Sequence, residues 1–366
     1  MKREHDFTQG TILPTLLRFA LPVLLALLLQ AMYGAVDLQV VGKFGAAADI
    51  SAVSTGSQVM HTVTVVITGL AMGVTVLLGQ KIGEGRPDEA GRAVGCGICL
   101  FTVVALAVTA AMLLAAPQMA SLMQDPADAF QDTVVYVRIC SAGAVFIVAY
   151  NILGSIFRGL GDSQMPLITV AIACVFNIAG DLLLVGGFGL GVAEKLCAFV
   201  MLVPSAYMQS MSAFVAQNIG AGREDRARQA LLWGILSSLV AGVLMGWAAF
   251  FHGDVLAGLF AEDGAVIAAA WEYLKAYAID CLLTSFLFCF VGYFNGCGRT
   301  VFVMVQGFVG ALGVRLPVAF LMSHVSPGSL FHLGLSTPAS TVVQIALCLG
   351  VFLYSGRKRS KLSISA

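Results

Sequence analysis

Two carboxylates, Asp37 and Asp181, fall within or at the edge of long stretches that otherwise carry almost no charge. At the centre of a spanning helix an acid costs about 2.5 to 3.5 kcal/mol on insertion scales, so each needs a reason to be there. One reason is structural, namely capping a neighbouring backbone or pairing with an arginine. The other is chemical: a buried carboxylate takes up H+ or Na+ in a way that depends on the side its site faces. Asn177 precedes Asp181 by four residues, so on a helix both oxygens project from one face and could ligate a hard cation together. Gln30, Tyr33 and Asp37 repeat at i, i+3 and i+7, which draws a polar stripe along one helix. For Gln30, Tyr33 and Asn151 the plainer alternative is interhelical hydrogen bonding, which polar residues commonly supply inside bundles.

Other polar residues read as packing or helix-end features. Gln209, Ser210, Ser212, Asp280 and Arg315 are outliers in the second half, with an Asp280 to Arg315 pair as a hypothesis. Gly83, Gly85, Gly220 and Gly222 precede basic helix starts and suit helix termination, because Gly is the usual residue just past a helix end. No Gly-x-x-x-x-Gly-Lys-Ser/Thr pattern occurs, which argues against an ATP-driven engine within the polypeptide. The five histidines lack metal-ligand spacing, and Cys96-x-x-Cys99 alone is weak evidence for metal or redox work. Neither catalysis nor a bound cofactor is expected.

The elements that position these residues must be membrane helices. Hydrophobic residues make up 59% of the chain and charged residues 11%, with a mean hydropathy of +0.91. Runs such as Phe19 to Val36 and Ala93 to Gln118 carry no Asp, Glu, Lys or Arg and approach the ~20 residues that cross a bilayer. They lack two-residue alternation, so an all-α fold is expected rather than a barrel. Ten helices follow, near 13–41, 51–80, 90–116, 132–158, 164–187, 194–217, 227–251, 265–295, 301–323 and 335–355. The net charge of zero gives no reason to expect a nucleic-acid partner. Arg86, Arg92, Arg158, Arg223, Arg226, Arg228, Arg299 and Arg357 fall at alternate breaks, which by the positive-inside rule puts both termini in the cytoplasm. The charged opening runs straight into a full spanning segment, so it reads as a first helix and not as a cleaved signal.

Shifting the sequence against itself by about 137 positions reveals a repeat. Gln80-Lys81-Ile82-Gly83-Glu84-Gly85-Arg86 falls on Gln217-Asn218-Ile219-Gly220-Ala221-Gly222-Arg223. Without a gap, Tyr136 then falls on Tyr273, and Phe157-Arg158-Gly159-Leu160-Gly161 on Phe294-Asn295-Gly296-Cys297-Gly298. Both copies share a sidedness, which predicts two pseudo-symmetric lobes of five helices each, residues 1–192 and 193–366, suited to a rocking carrier. The second copy lacks a counterpart of the opening helix and the first lacks a counterpart of the closing one. Two helices, the sixth and seventh of an original twelve, are therefore expected to be missing near Val192 to Glu194.

These motifs together resemble the multidrug and toxin extrusion (MATE) exporters. The resemblance rests on Leu16-Leu17-Arg18-Phe19-Ala20-Leu21-Pro22, Val36-Asp37-Leu38-Gln39-Val40-Val41-Gly42, the two Gln-x-Ile-Gly turns, Phe157-Arg158-Gly159-Leu160-Gly161-Asp162 and Asn177-Ile178-Ala179-Gly180-Asp181. It implies an antiporter of the bacterial plasma membrane, working as a monomer, that exports amphipathic or cationic small molecules in exchange for H+ or Na+. It further implies that Asp37, Asn177 and Asp181 form the cation site of the N-terminal lobe, and that Gln30, Tyr33, Asn151 and Asn177 line a substrate cavity. The alternatives are a lipid-linked saccharide flippase of the same superfamily and a non-transporting remnant left by loss of the helix pair.

Overall fold

The computed structural model describes residues 7–44, 47–123, 129–184, 201–258, 264–326 and 329–364, and within these the side chains of 33–44, 47–54 and 175–184 and a few others near the later helix ends lie outside the description. Every regular element among the described residues is helical: α1 Ile12–Phe44, α2 Ala47–Gly83, α3 Pro87–Leu122, α4 Phe130–Ala142, α5 Ala144–Leu160, α6 Gln164–Leu184, α7 Leu202–Gly220, α8 Glu224–Phe251, α9 Gly253–Gly258, α10 Gly264–Gly296, α11 Thr300–Phe308, α12 Leu316–Val325, α13 Leu330–Gly334 and α14 Ser336–Ile364. Each of the ten expected segments is helical among its described residues, those at 164–187 and 194–217 through Leu184 and from Leu202. Among the described residues seven helices are long and apolar enough to cross a membrane, or eight if α4 and α5 count as one broken span.

Two expected helices are interrupted. The fourth breaks at Gly143, where α4 and α5 meet at 48°. In the repeat, position 143 corresponds to Asp280, which lies inside the uninterrupted α10. The ninth contains a π-helical stretch, Val309–Arg315, joining α11 to α12. Its wider turns leave the Gly310 carbonyl to accept from Ser340 Oγ of α14 at 2.8 Å.

The chain divides into two units, the first comprising Met1–Gly191 with Ala216–Glu224, the second Val192–Val215 with Asp225–Ala366. In the first, α2, α3 and α5 enclose Ile67, Ala71, Leu78, Phe101, Val148 and Ile152. A second cluster of Val59, Met112, Ala116, Val134 and Val137 joins α2, α3 and α4. In the second unit α10 packs on α13 and α14, and α14 packs on the π-helical stretch.

The distribution of polarity is that of a membrane protein. Leu100, Val103, Leu106 and Leu114 of α3 and Leu236, Val240, Leu244 and Trp247 of α8 are exposed. Meanwhile Gln209, Ser210, Ser212, Gln217 and Asn218 of α7 are buried. In hydrocarbon a polar side chain without a partner is costly, so such residues turn inward while apolar ones meet lipid. That inversion also explains why α7, although a full helix, is less apolar than the spans around it.

The repeat is reproduced in backbone detail. Gly85 and Gly222 have φ of 73° and 71°, and Gly161 and Gly298 have 89° and 76°. Each closes a Schellman turn: Arg86 N donates to Lys81 O at 3.0 Å and Arg223 N to Asn218 O at 2.8 Å, while Asp162 N reaches Phe157 O and Arg299 N reaches Phe294 O, both at 2.9 Å. Packing follows the same register. A Cβ on Gly159 would crowd Thr75 O and Leu78, and one on Gly296 would crowd their equivalents Ser212 O and Val215.

Candidate functional site

The first unit gathers polar groups on the face of α5 that meets α1 and α2. Gln30 Nε2 on α1 donates to the Tyr150 hydroxyl at 3.2 Å. Next to it on α5, Asn151 is buried; its Oδ1 accepts from Thr68 Oγ1 of α2 at 2.7 Å and its Nδ2 donates to Ile147 O at 2.9 Å. One turn on, Thr75 Oγ1 donates to Ser155 O at 2.8 Å. Gln30 and Asn151 are thus brought into one seam, and the Asn151 amide is bonded at both ends. Interhelical bonding is the work these groups do in this conformation. Tyr33, Asp37, Asn177 and Asp181 belong to α1 and α6, which pack on each other, but their side chains lie outside the described residues.

Arg158 occupies a place the sequence did not suggest. Its charge and position group it with the basic residues of interhelical breaks, yet α5 continues through Leu160 and ends only at the left-handed Gly161. Arg158 therefore lies in the last helical turn, 8% exposed. Its Nη2 donates to Ser155 Oγ at 3.0 Å, its Nε has no partner, and the guanidinium folds back over Gly154, whose missing Cβ leaves room for it. Nearby, Gln217 Nε2 donates to Gly159 O at 3.1 Å.

The second unit holds a buried acid. Asp280 is 1% exposed within α10, and its Oδ1 has no hydrogen-bond partner. Thr341 of α14 is its polar neighbour, and Arg315 acts on it at longer range. No ion pair joins the two among the described contacts, and Arg315 is exposed at the end of the π-helical stretch. Around this acid, Ser285 Oγ donates to Ser238 O at 3.1 Å and Thr284 Oγ1 to Asp280 O at 2.8 Å. Gln306, also buried, leaves its Oε1 unpaired. Among the described residues the buried charged side chains are Arg158 and Asp280. A lone acid in an apolar helix was visible in the sequence, but that no cation forms a direct ion pair with it among the described residues was not.

Comparison with known proteins follows the same lines. The probable multidrug resistance protein YpnP of Bacillus subtilis is 26% identical over 211 residues, covering 57% of this chain and 47% of that protein, so the matched part spans about half its length. A second Bacillus subtilis protein, the probable multidrug resistance protein YoeA, is 20% identical over an alignment covering 93% of each. A solved structure described as an outward-facing conformation of a multidrug resistance MATE family transporter of the MOP superfamily superposes with a TM-score of 0.79 at 15% identity, covering 98% of each chain, which shows a shared fold. The MatE family model matches residues 22–183 and 189–321, most of the sequence. The chain therefore belongs to the MatE family, the multidrug and toxin extrusion transporters.

Proposed function

We propose that the protein is an ion-coupled antiporter of a bacterial plasma membrane, with both termini in the cytoplasm. It exports amphipathic, often cationic, small molecules as H+ or Na+ flows inward. The observation that carries this reading is the Asp280 carboxylate, which sits almost fully enclosed in a spanning helix with one oxygen unbonded. An acid in hydrocarbon that lacks both a paired cation and a full set of donors is costly as a permanent anion, and that cost is relieved whenever H+ or Na+ binds. Binding of the ion on one side and its release on the other couples the acid to the transport cycle. Asp37, Asn177 and Asp181 serve as the corresponding cation site in an N-terminal lobe of residues 1–192, and Gln30, Tyr33, Asn151 and Asn177 line the substrate cavity there. Relatives named as multidrug resistance proteins support the substrate class. A saccharide flippase would call for several interior cations to hold pyrophosphate, and Arg158 is the buried arginine of the described residues.

The test is ethidium efflux from proteoliposomes under an imposed proton or Na+ gradient. Wild-type protein should extrude dye only with the gradient, and Asp37→Asn, Asp181→Asn and Asp280→Asn should each slow extrusion. Gradient-independent behaviour, or full efflux in all three variants, would overturn the antiport mechanism; no efflux at all would favour the remnant.

A further inference from the structure

The end of the first unit where α2, α5 and α7 finish is gripped by the segment that precedes α1. Phe7 is fully buried, and its ring meets Phe19 of α1 edge to face at 4.9 Å. The Phe7 carbonyl accepts from Asn218 Nδ2 at 3.0 Å, and the next carbonyl, that of Thr8, accepts from Arg223 Nη1 at 2.6 Å. Asn218 is buried in the last turn of α7, and Arg223 stands on the turn that leads to α8. Two residues past Thr8, Gly10 adopts φ of +74°, a sharp turn between this segment and α1.

Among the described residues this grip is made by one copy of the repeat and not by the other. Lys81 and Arg86 occupy the positions equivalent to Asn218 and Arg223. They spend their charges on Glu84 and Glu89 within their own solvent-facing turn. In the second copy the positions of Glu84 and Glu89 are held by Ala221 and Arg226, the acids of the turn being Glu224 and Asp225 instead, and Asn218 and Arg223 reach to backbone carbonyls of the N-terminal segment. A neutral, buried amide replaces a solvated ammonium at the position that makes the innermost bond.

We propose that Phe7–Gly10 is a latch: it clamps the turn between α7 and α8 to the start of α1, and the transport cycle must release it before this end of the unit opens. The inference rests on the transporter reading above, and on the positive-inside assignment that puts this end at the cytoplasm. Its chemistry is cooperative. Withdrawing Phe7 takes a bond from the buried Asn218 amide, and shifting the turn takes bonds from the Phe7 and Thr8 carbonyls, so both sides should leave together. Gly10 supplies the pivot.

Hydrogen exchange of the purified full chain in detergent, read on peptides covering 7–17 and 216–226, tests the coupling. Asn218→Leu and Phe7→Ala should each raise exchange in both peptides by about ten-fold, while Lys81→Leu should leave the 7–17 peptide at its wild-type rate. Should Asn218→Leu fail to fold, Arg223→Gln removes the outer bond from an exposed position and should raise exchange in both peptides less steeply. In proteoliposomes the released variants should change ethidium flux, driven or passive, at least three-fold. Acceleration confined to the mutated segment would overturn the latch. So would joint release with unaltered flux, which would make the segment a static anchor. Wild-type protein without any efflux would instead fail the transport reading, and the exchange experiment would still report whether the two segments release as one.

Discussion

Gly83 and Gly220, equivalent residues of the repeat, face each other so closely that a Cβ on either would stand 2.1 Å from a backbone oxygen of the other helix, Gln217 O for Gly83 and Gln80 O for Gly220. The ends of α2 and α7 thus cross through a pair of missing side chains, and any added methyl must push backbone. Gly83→Ala or Gly220→Ala should cost about 1 to 3 kcal/mol, the usual penalty for overpacking. Gly95→Ala on α3, where nothing lies within 4 Å, should be neutral or slightly stabilising. Thermal unfolding in detergent, with all three variants side by side, checks the contrast; equal melting for Gly83→Ala and wild type would refute it.

Asp280 should respond differently to two substitutions. Asp280→Asn retains the shape and removes the charge that lacks a partner, so the fold should be as stable as wild type or more so. Gradient-driven efflux should nevertheless fall by about ten-fold, since no ion can be exchanged at that position. Arg315→Leu, at an exposed site without a direct ion pair to Asp280, should leave folding unaltered and change transport far less than Asp280→Asn. Measuring melting temperature and efflux on the same preparations separates a coupling role from a structural one.

The seam of α2 and α5 offers a local test. Thr68→Val keeps the volume and deletes the bond to Asn151 Oδ1, leaving a buried acceptor unpaired at a cost of about 1 to 3 kcal/mol. Thr62→Val, whose hydroxyl bonds only to the preceding turn at an exposed site, should cost far less. A urea or thermal series on both variants would read the difference, and a Thr68→Val protein as stable as wild type would remove the seam's structural role.

Outside the membrane, the turn between α2 and α3 carries an acid with a shifted titration. The Lys81 ammonium, bonded to Glu84 Oε2 at 2.8 Å, holds the Glu84 carboxyl below its ordinary value, assisted by the charges of Lys81 and Arg86. Because the folded value is depressed, the contribution is present above the unfolded carboxylate pKa and is lost as pH falls through the folded one. Glu84→Gln should therefore lower the melting temperature slightly near neutral pH and not at strongly acid pH. High salt should erase the effect, as expected for solvent-facing charges.

Much of the architecture was legible in the residues alone, because its causes are local. Length and apolarity of each run set the helices, and the Gly-x-Gly-Arg ends of α2 and α7 set two Schellman turns that recur at the predicted spacing. The family motifs, such as Gln80 to Arg86 and Phe157 to Asp162, are short and contiguous, so they too survive reading without a structure. The break at Gly143 was harder to see, since glycines occur harmlessly elsewhere in the helices, and a π-helical stretch leaves no mark in hydropathy.

What the tertiary structure alone decided is which polar group meets which. Arg158 looked like a loop cation until the length of α5 drew it inside, beside Ser155 and away from any acid among the described residues. Asp280 and Arg315 read first as packing residues, with a pair between them as a hypothesis; folding leaves the arginine exposed and the acid enclosed, with no ion pair between them among the described residues. Phe7 gave no signal at all, being one aromatic residue before a helix, yet it is buried and its carbonyl is held by Asn218, 211 positions away. A residue's type fixes what it is able to bond, whereas its burial and its partners depend on distant segments that only packing brings together.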